Sequence, residues 1–192
     1  MIKRFFGLFL VSIALLNLAA CSDTYRIDGR STVSSLDGKV LYIRTFDGNN
    51  WMTIDSTEVL HGLFHMEGPA DTAMLVSVYM DDVNIMPFIL EKGDIEISIT
   101  NTQLSVSGTP LNDALYGFVE EQRALESKLV ELERKEARMV LEGANIDEVQ
   151  AQVAVEREAL SKETHEYIKE FIAGHYEDAL GPAVFALLCE GM

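Results

Sequence analysis

The chain has 192 residues, with 15 Lys+Arg against 31 Asp+Glu and a formal charge of −16. That length suits one ordinary domain, or a small domain with an extension, and 48% hydrophobic against 24% charged residues excludes a disordered chain. An acidic excess of this size repels a phosphate backbone, so nucleic acid is excluded as a partner.

Residues 1–20 carry two early cations, Lys3 and Arg4, no acid, and the apolar run Phe5–Leu16. The run is too short to span roughly 30 Å of hydrocarbon and predicts a signal peptide rather than an anchor. It ends in Leu18-Ala19-Ala20-Cys21, which resembles a bacterial lipobox, where a cysteine thiol is acylated before cleavage. The predicted organisation is a signal over 1–20, a lipidated tether over 21–24, a β domain over 25–110, and a helical hairpin with a C-terminal helix over 111–192. Lipidation of Cys21 makes the membrane a partner and leaves Cys189 as a lone thiol.

Between Tyr25 and Gly108 short β-rich runs alternate with turn residues. Strands are predicted near Tyr25–Arg30, Lys39–Thr45, Trp51–Thr57, Leu63–Glu67, Met74–Met80, Ile85–Glu91, Asp94–Thr100 and Gln103–Ser107. Ile95, Ile97 and Ile99 alternate with polar residues, the pattern of a strand with one buried face. Turns are marked by Asp37-Gly38, Asp47-Gly48, His61-Gly62 and Lys92-Gly93-Asp94. Many short strands at close spacing predict a small all-β sandwich or a partly closed barrel.

After Pro110 the periodicity becomes helical, giving an α+β chain in two parts. Leu115, Phe118, Gln122, Leu125, Leu129, Leu132, Glu136 and Met139 recur at spacings of three and four. Gly143 suits a C-terminal cap, and Asn145 with Glu148 suits the start of a second helix, which carries Ile146, Val149, Val153, Leu160, Tyr167 and Phe171 and ends near Gly174. Two helices of roughly 28–30 residues, about 40–45 Å each, joined by a short turn predict an antiparallel hairpin. Pairs such as Glu131/Lys135 are expected to support its exposed faces, and Leu129→Asp to splay it by burying a charge. Gly181-Pro182 opens a short third helix, Ala183–Cys189.

Several segments then stand together in a familiar order. They are Tyr25-Arg26-Ile27-Asp28-Gly29, Gly38-Lys39-Val40-Leu41-Tyr42-Ile43, Ile54-Asp55-Ser56-Thr57 with Val59, Gly62–Gly68, Phe88–Ile95 and Val106–Asn112. This series resembles the lipoprotein β domain of Bacteroidetes in the domain-of-unknown-function family numbered 4369, over about Tyr25 to Phe118. In many members that domain precedes a helical segment and a thioredoxin-like thiol–disulfide oxidoreductase domain. The resemblance implies redox chemistry only through a Cys-x-x-Cys pair, and this chain has none.

Other chemistry has little support in the sequence. His165-Glu166 starts like a zinc-protease motif, but Lys169 stands where its second histidine belongs. His61 and His65 are read as turn and surface residues, and His175 as a helix-end charge. Asp47–Asn50 and Asp81–Asn84 are read as turns rather than calcium loops. Trp51 and Tyr42 are assigned to core packing in preference to a ligand face, and Cys189 to an inert buried thiol. No catalytic residue, metal ligand or cofactor motif is assigned.

The predicted function is a non-catalytic envelope lipoprotein that binds or scaffolds at the outer membrane. Ser22 after Cys21, with Asp23 as the single nearby acid, points to the periplasmic face rather than the cell surface. A protein partner or a second copy is expected on the hairpin seam, at Leu125, Leu129, Leu132, Val153 and Leu160. The rival reading, from the apolar final stretch and the family's usual architecture, is the front part of a membrane-tethered oxidoreductase.

Overall fold

The computed structural model describes residues 23–190 apart from 47 and 49, with side chains as far as 188. Cys21, the predicted signal and the side chain of Cys189 lie outside the described residues. Eight strands, β1 (Thr24–Ser31), β2 (Val40–Phe46), β3 (Trp51–Glu58), β4 (Leu63–Pro69), β5 (Met74–Met80), β6 (Val83–Leu90), β7 (Gly93–Ile99) and β8 (Leu104–Ser107), precede three helices. These are α1 (Pro110–Leu141), α2 (Ile146–Gly174) and α3 (Leu180–Glu190). The strands form two four-stranded sheets, β4-β1-β7-β8 and β3-β2-β5-β6, so the β part is an open sandwich rather than a closed barrel.

Alternation explains the sandwich. Tyr25 and Ile27 on β1, Leu41 and Ile43 on β2, Val76 and Val78 on β5, and Ile95, Ile97 and Ile99 on β7 all point inward and are buried. The Tyr25 hydroxyl crosses between the sheets to donate to Asp55 Oδ2 at 2.8 Å. Burial first, and then this carboxylate, hold the phenol protonated far above its usual range. On β1 and β4 two aromatic–glycine pairs face each other in reciprocal order, Tyr25 opposite Gly68 and Gly29 opposite Phe64. The Phe64 ring occupies the space a Cβ on Gly29 would need.

The turn between β5 and β6 is tighter than the sequence suggests. Met80 pairs with Val83 across a two-residue loop, Asp81-Asp82, with Asp81 at a φ of 55°. Aspartate tolerates that left-handed conformation, so Val83 and Asn84 join the strand instead of the turn.

β6 is an edge strand, and α1 covers its edge. Ile89 donates its N–H to Asn112 Oδ1 at 2.8 Å and accepts from Asn112 Nδ2 at 2.8 Å, so the amide stands in for a neighbouring strand. Asn112 is fully buried, and its Nδ2 also donates to Thr109 Oγ1 at 2.8 Å. Glu91 Oε1 accepts from the N–H groups of Leu111 and Asn112 at 2.9 and 3.3 Å, placing a carboxylate on the α1 N-terminus. The Tyr116 hydroxyl donates to the Pro87 carbonyl at 3.0 Å.

Candidate functional site

The base of the hairpin is fixed to the outer face of β6. Ile89, Leu115, Phe118, Leu180, Ala183 and Val184 form a second buried cluster joining β6, α1 and α3. The Phe118 ring stacks on Tyr167 at 5.5 Å and meets Phe171 at 4.6 Å, which ties α2 to the same cluster. The predicted caps hold at the far end. Gly143 at a φ of 90° closes α1, with Ala144 N–H donating to the Met139 carbonyl at 3.1 Å. Asn145 Oδ1 then accepts from the N–H groups of Asp147 and Glu148.

Beyond this base, Leu132, Val149 and Val153 bury themselves between the two helices, with Met139 packed against them. The two flanks of that contact differ. On one flank Lys128 Nζ meets Glu163 at 2.8 Å, and Lys135 Nζ meets both carboxylate oxygens of Glu156 at 2.6 and 2.8 Å. Lys135 therefore bonds across the hairpin rather than along its own helix with Glu131. The hydrogen bond from Lys135, followed by one from Gln152, holds Glu156 below the ordinary carboxylate range. Glu163 likewise pushes Lys128 upward.

The other flank opens into a groove of about 440 Å³. Leu125, Leu129 and Leu160 contribute its apolar lining. Glu126 and Glu133 on α1 form one wall, and Arg157, Ser161 and His165 on α2 form the other. Arg157 reaches Glu136 at 3.6 Å, and His165 Nδ1 lies 2.7 Å from the Ser161 carbonyl in its own preceding turn. Gln122 also lines the groove, and its Nε2 is buried without a hydrogen-bond partner.

The structure thus divides the predicted seam. Leu125, Leu132 and Val153 are buried, whereas Leu129 is 37% exposed and Leu160 half-buried. A heptad-like spacing selects all five but does not say on which side the partner helix lies. The wall residues were missed, although Glu126/Glu133 at i, i+7 and Arg157/Ser161/His165 at i, i+4, i+8 are helical stripes in the sequence.

Trp51 is not a core residue. It is 58% exposed, lying 5.2 Å from Phe46 and 5.5 Å from Tyr79 between ring centroids. It pairs with Phe46 at the turn end of the β2–β3 hairpin, on the edge of the sheet opposite β6. Arg44 sits over the Tyr42 and Tyr79 rings at 5.0 and 5.1 Å. His65 Nδ1 lies 3.0 Å from Asp28, His61 occupies a turn with a φ of 54°, and His175 Nδ1 lies 2.7 Å from Asp178. Among the described residues there is no group of His, Cys, Asp and Glu suited to a metal ion, and no helix long and apolar enough to cross a membrane.

Residues 25–115 match the family model described as a domain of unknown function, DUF4369. The β sandwich is a DUF4369 domain. The DUF4369 match includes Asn112 and Leu115, so the contact that fixes α1 to β6 belongs to the family unit. The groove lies outside the DUF4369 match, on the hairpin. A search of curated proteins finds no match.

Proposed function

We propose that this protein is a lipid-anchored envelope lipoprotein in which the DUF4369 domain carries a helical hairpin that binds or scaffolds a protein partner, without catalytic chemistry of its own. The observation that supports binding is the open flank of the hairpin, where Leu129 and Leu160 line an uncovered groove between charged walls. The anchor rests on Leu18-Ala19-Ala20-Cys21, and the outer membrane, facing the periplasm, on Ser22 and the single acid Asp23. A photo-crosslinker at position 129, tested in the protein's own membranes, is expected to capture a polypeptide. A crosslinker at 134, on the far side of α1, serves as the control. Equal capture at both positions, or none at either, would sink the docking role.

A second reading is favoured by Phe185, which is 62% exposed on α3. A thioredoxin-like domain beyond α3 would cover it, making this chain the accessory part of a thiol–disulfide oxidoreductase. A coding sequence continuing into a Cys-x-x-Cys domain would establish that reading, and a natural stop codon after Met192 would remove it.

A further inference from the structure

We infer that the occupant of the groove is the same groove of a second copy, brought together by a two-fold axis parallel to the helices to form a four-helix bundle. This inference names the partner of the hairpin and rests on the proposed function only in taking the hairpin as the docking element.

The charge pattern carries it. The chain is strongly acidic at −16, yet the groove walls set two acids, Glu126 and Glu133, against His165 and against Arg157, which also reaches Glu136 of its own chain but stays half-exposed. A basic partner would gain little there, whereas a surface with opposite walls is complementary to itself. The ion pairs Lys128–Glu163 and Lys135–Glu156 fix the register between α1 and α2. In that register Glu126 stands level with His165, and Glu133 level with Arg157. Rotation about an axis along the helices lays α1 of one copy over α2 of the other at unchanged height. Glu126 of the second copy then faces His165, Glu133 of the second copy faces Arg157, and both pairs occur twice. Leu129 and Leu160, which line the groove, close over each other between these walls.

The competing two-fold, perpendicular to the helices, lays α1 on α1 and sets Glu126 against Glu133, which is repulsive. The favoured arrangement also keeps both DUF4369 domains at one end, where two N-terminal tethers can enter one membrane.

Sedimentation of the full chain in detergent, at tens of micromolar, tests this. The wild type is expected to sediment as a dimer. Glu133→Arg and Arg157→Glu, each alone, set like charges against each other twice and are expected to weaken association about tenfold or more. Mixing the two variants restores attraction at both contacts. One copy then carries a cation at positions 133 and 157, the other an acid at both, and each 133 faces a 157 of opposite sign. Dimer recovered only in the mixture is the expected result, with circular dichroism showing unchanged helicity in each variant. A monomeric wild type, or a mixture that stays monomeric, would overturn the inference. If the wild type is monomeric while position 129 still crosslinks a different polypeptide, the second copy is excluded and the docking role stands. No crosslink at all would remove both.

Discussion

Asn112 pairs with Ile89 as a strand would, one side-chain amide both accepting from and donating to the same backbone residue. This contact fixes the direction in which α1 leaves the sandwich and so positions the hairpin. Asn112→Ala leaves the Ile89 N–H and carbonyl buried and unpaired. A loss of about 3 kcal/mol is expected, read as a shift of the urea midpoint without a change in slope. A loss below about 1 kcal/mol would mean the edge of β6 is satisfied in another way.

Gln122 points the other way. Its buried Nε2 has no partner, and its neighbours in the groove include Leu125 and Leu129. Gln122→Leu removes that penalty at similar volume and is expected to raise stability by about 1 kcal/mol, seen as a higher Tm. Destabilisation would show that the amide is needed.

The two ends of the seam should respond differently to charge. Leu132 is buried between the helices, whereas Leu129 is largely on the open flank. Leu132→Asp is expected to cost several kcal/mol, of the order of 3. Leu129→Asp should leave monomer helicity and melting close to those of the parent, contrary to the expectation from sequence that it splays the hairpin. Circular dichroism melts of both variants decide the matter.

Glycine substitutions separate space from propensity. Gly29→Ala drives a methyl into the Phe64 ring and is expected to cost about 1–3 kcal/mol. Gly117→Ala, in α1 with no neighbour near the added carbon, is expected to gain up to about 1 kcal/mol. Chemical denaturation of each variant checks the opposite signs.

The Lys135–Glu156 contact should be acid-labile. Glu156 is held below its ordinary 4.5, so its contribution is present above that pH and is lost as pH falls through the lowered value in the folded protein. The difference in Tm between the parent and Lys135→Met is therefore expected to be constant from pH 7 to about 5 and to shrink as pH falls below 4.5. A difference independent of pH would mean that the lysine acts through its aliphatic stem.

All eight strands and both long helices were legible because local chemistry marks their ends. Gly38, Gly62, Gly93 and Gly143 all adopt positive φ at boundaries that the sequence signals. Asn145 caps α2 as its spacing to Glu148 suggests. What was not legible depends on what lies across space. Phe88, Ile89 and Leu90 are buried in succession because the sandwich takes one face of β6 and the helices take the other. Trp51 looks like a core residue by type, but β3 lies at the edge of the sheet opposite β6, where the helices pack, and leaves it exposed. Leu132 and Leu129 share one heptad pattern, and only the position of α2 makes one a core residue and the other part of a groove.

The intact mass of the native protein, extracted from its own membranes, is the decisive test of the proposed lipid-anchored binding role. The expected mass is that of Cys21–Met192 plus acyl chains. An unacylated mass would contradict the anchor, and a mass larger by a whole domain would contradict the non-catalytic reading in favour of the oxidoreductase.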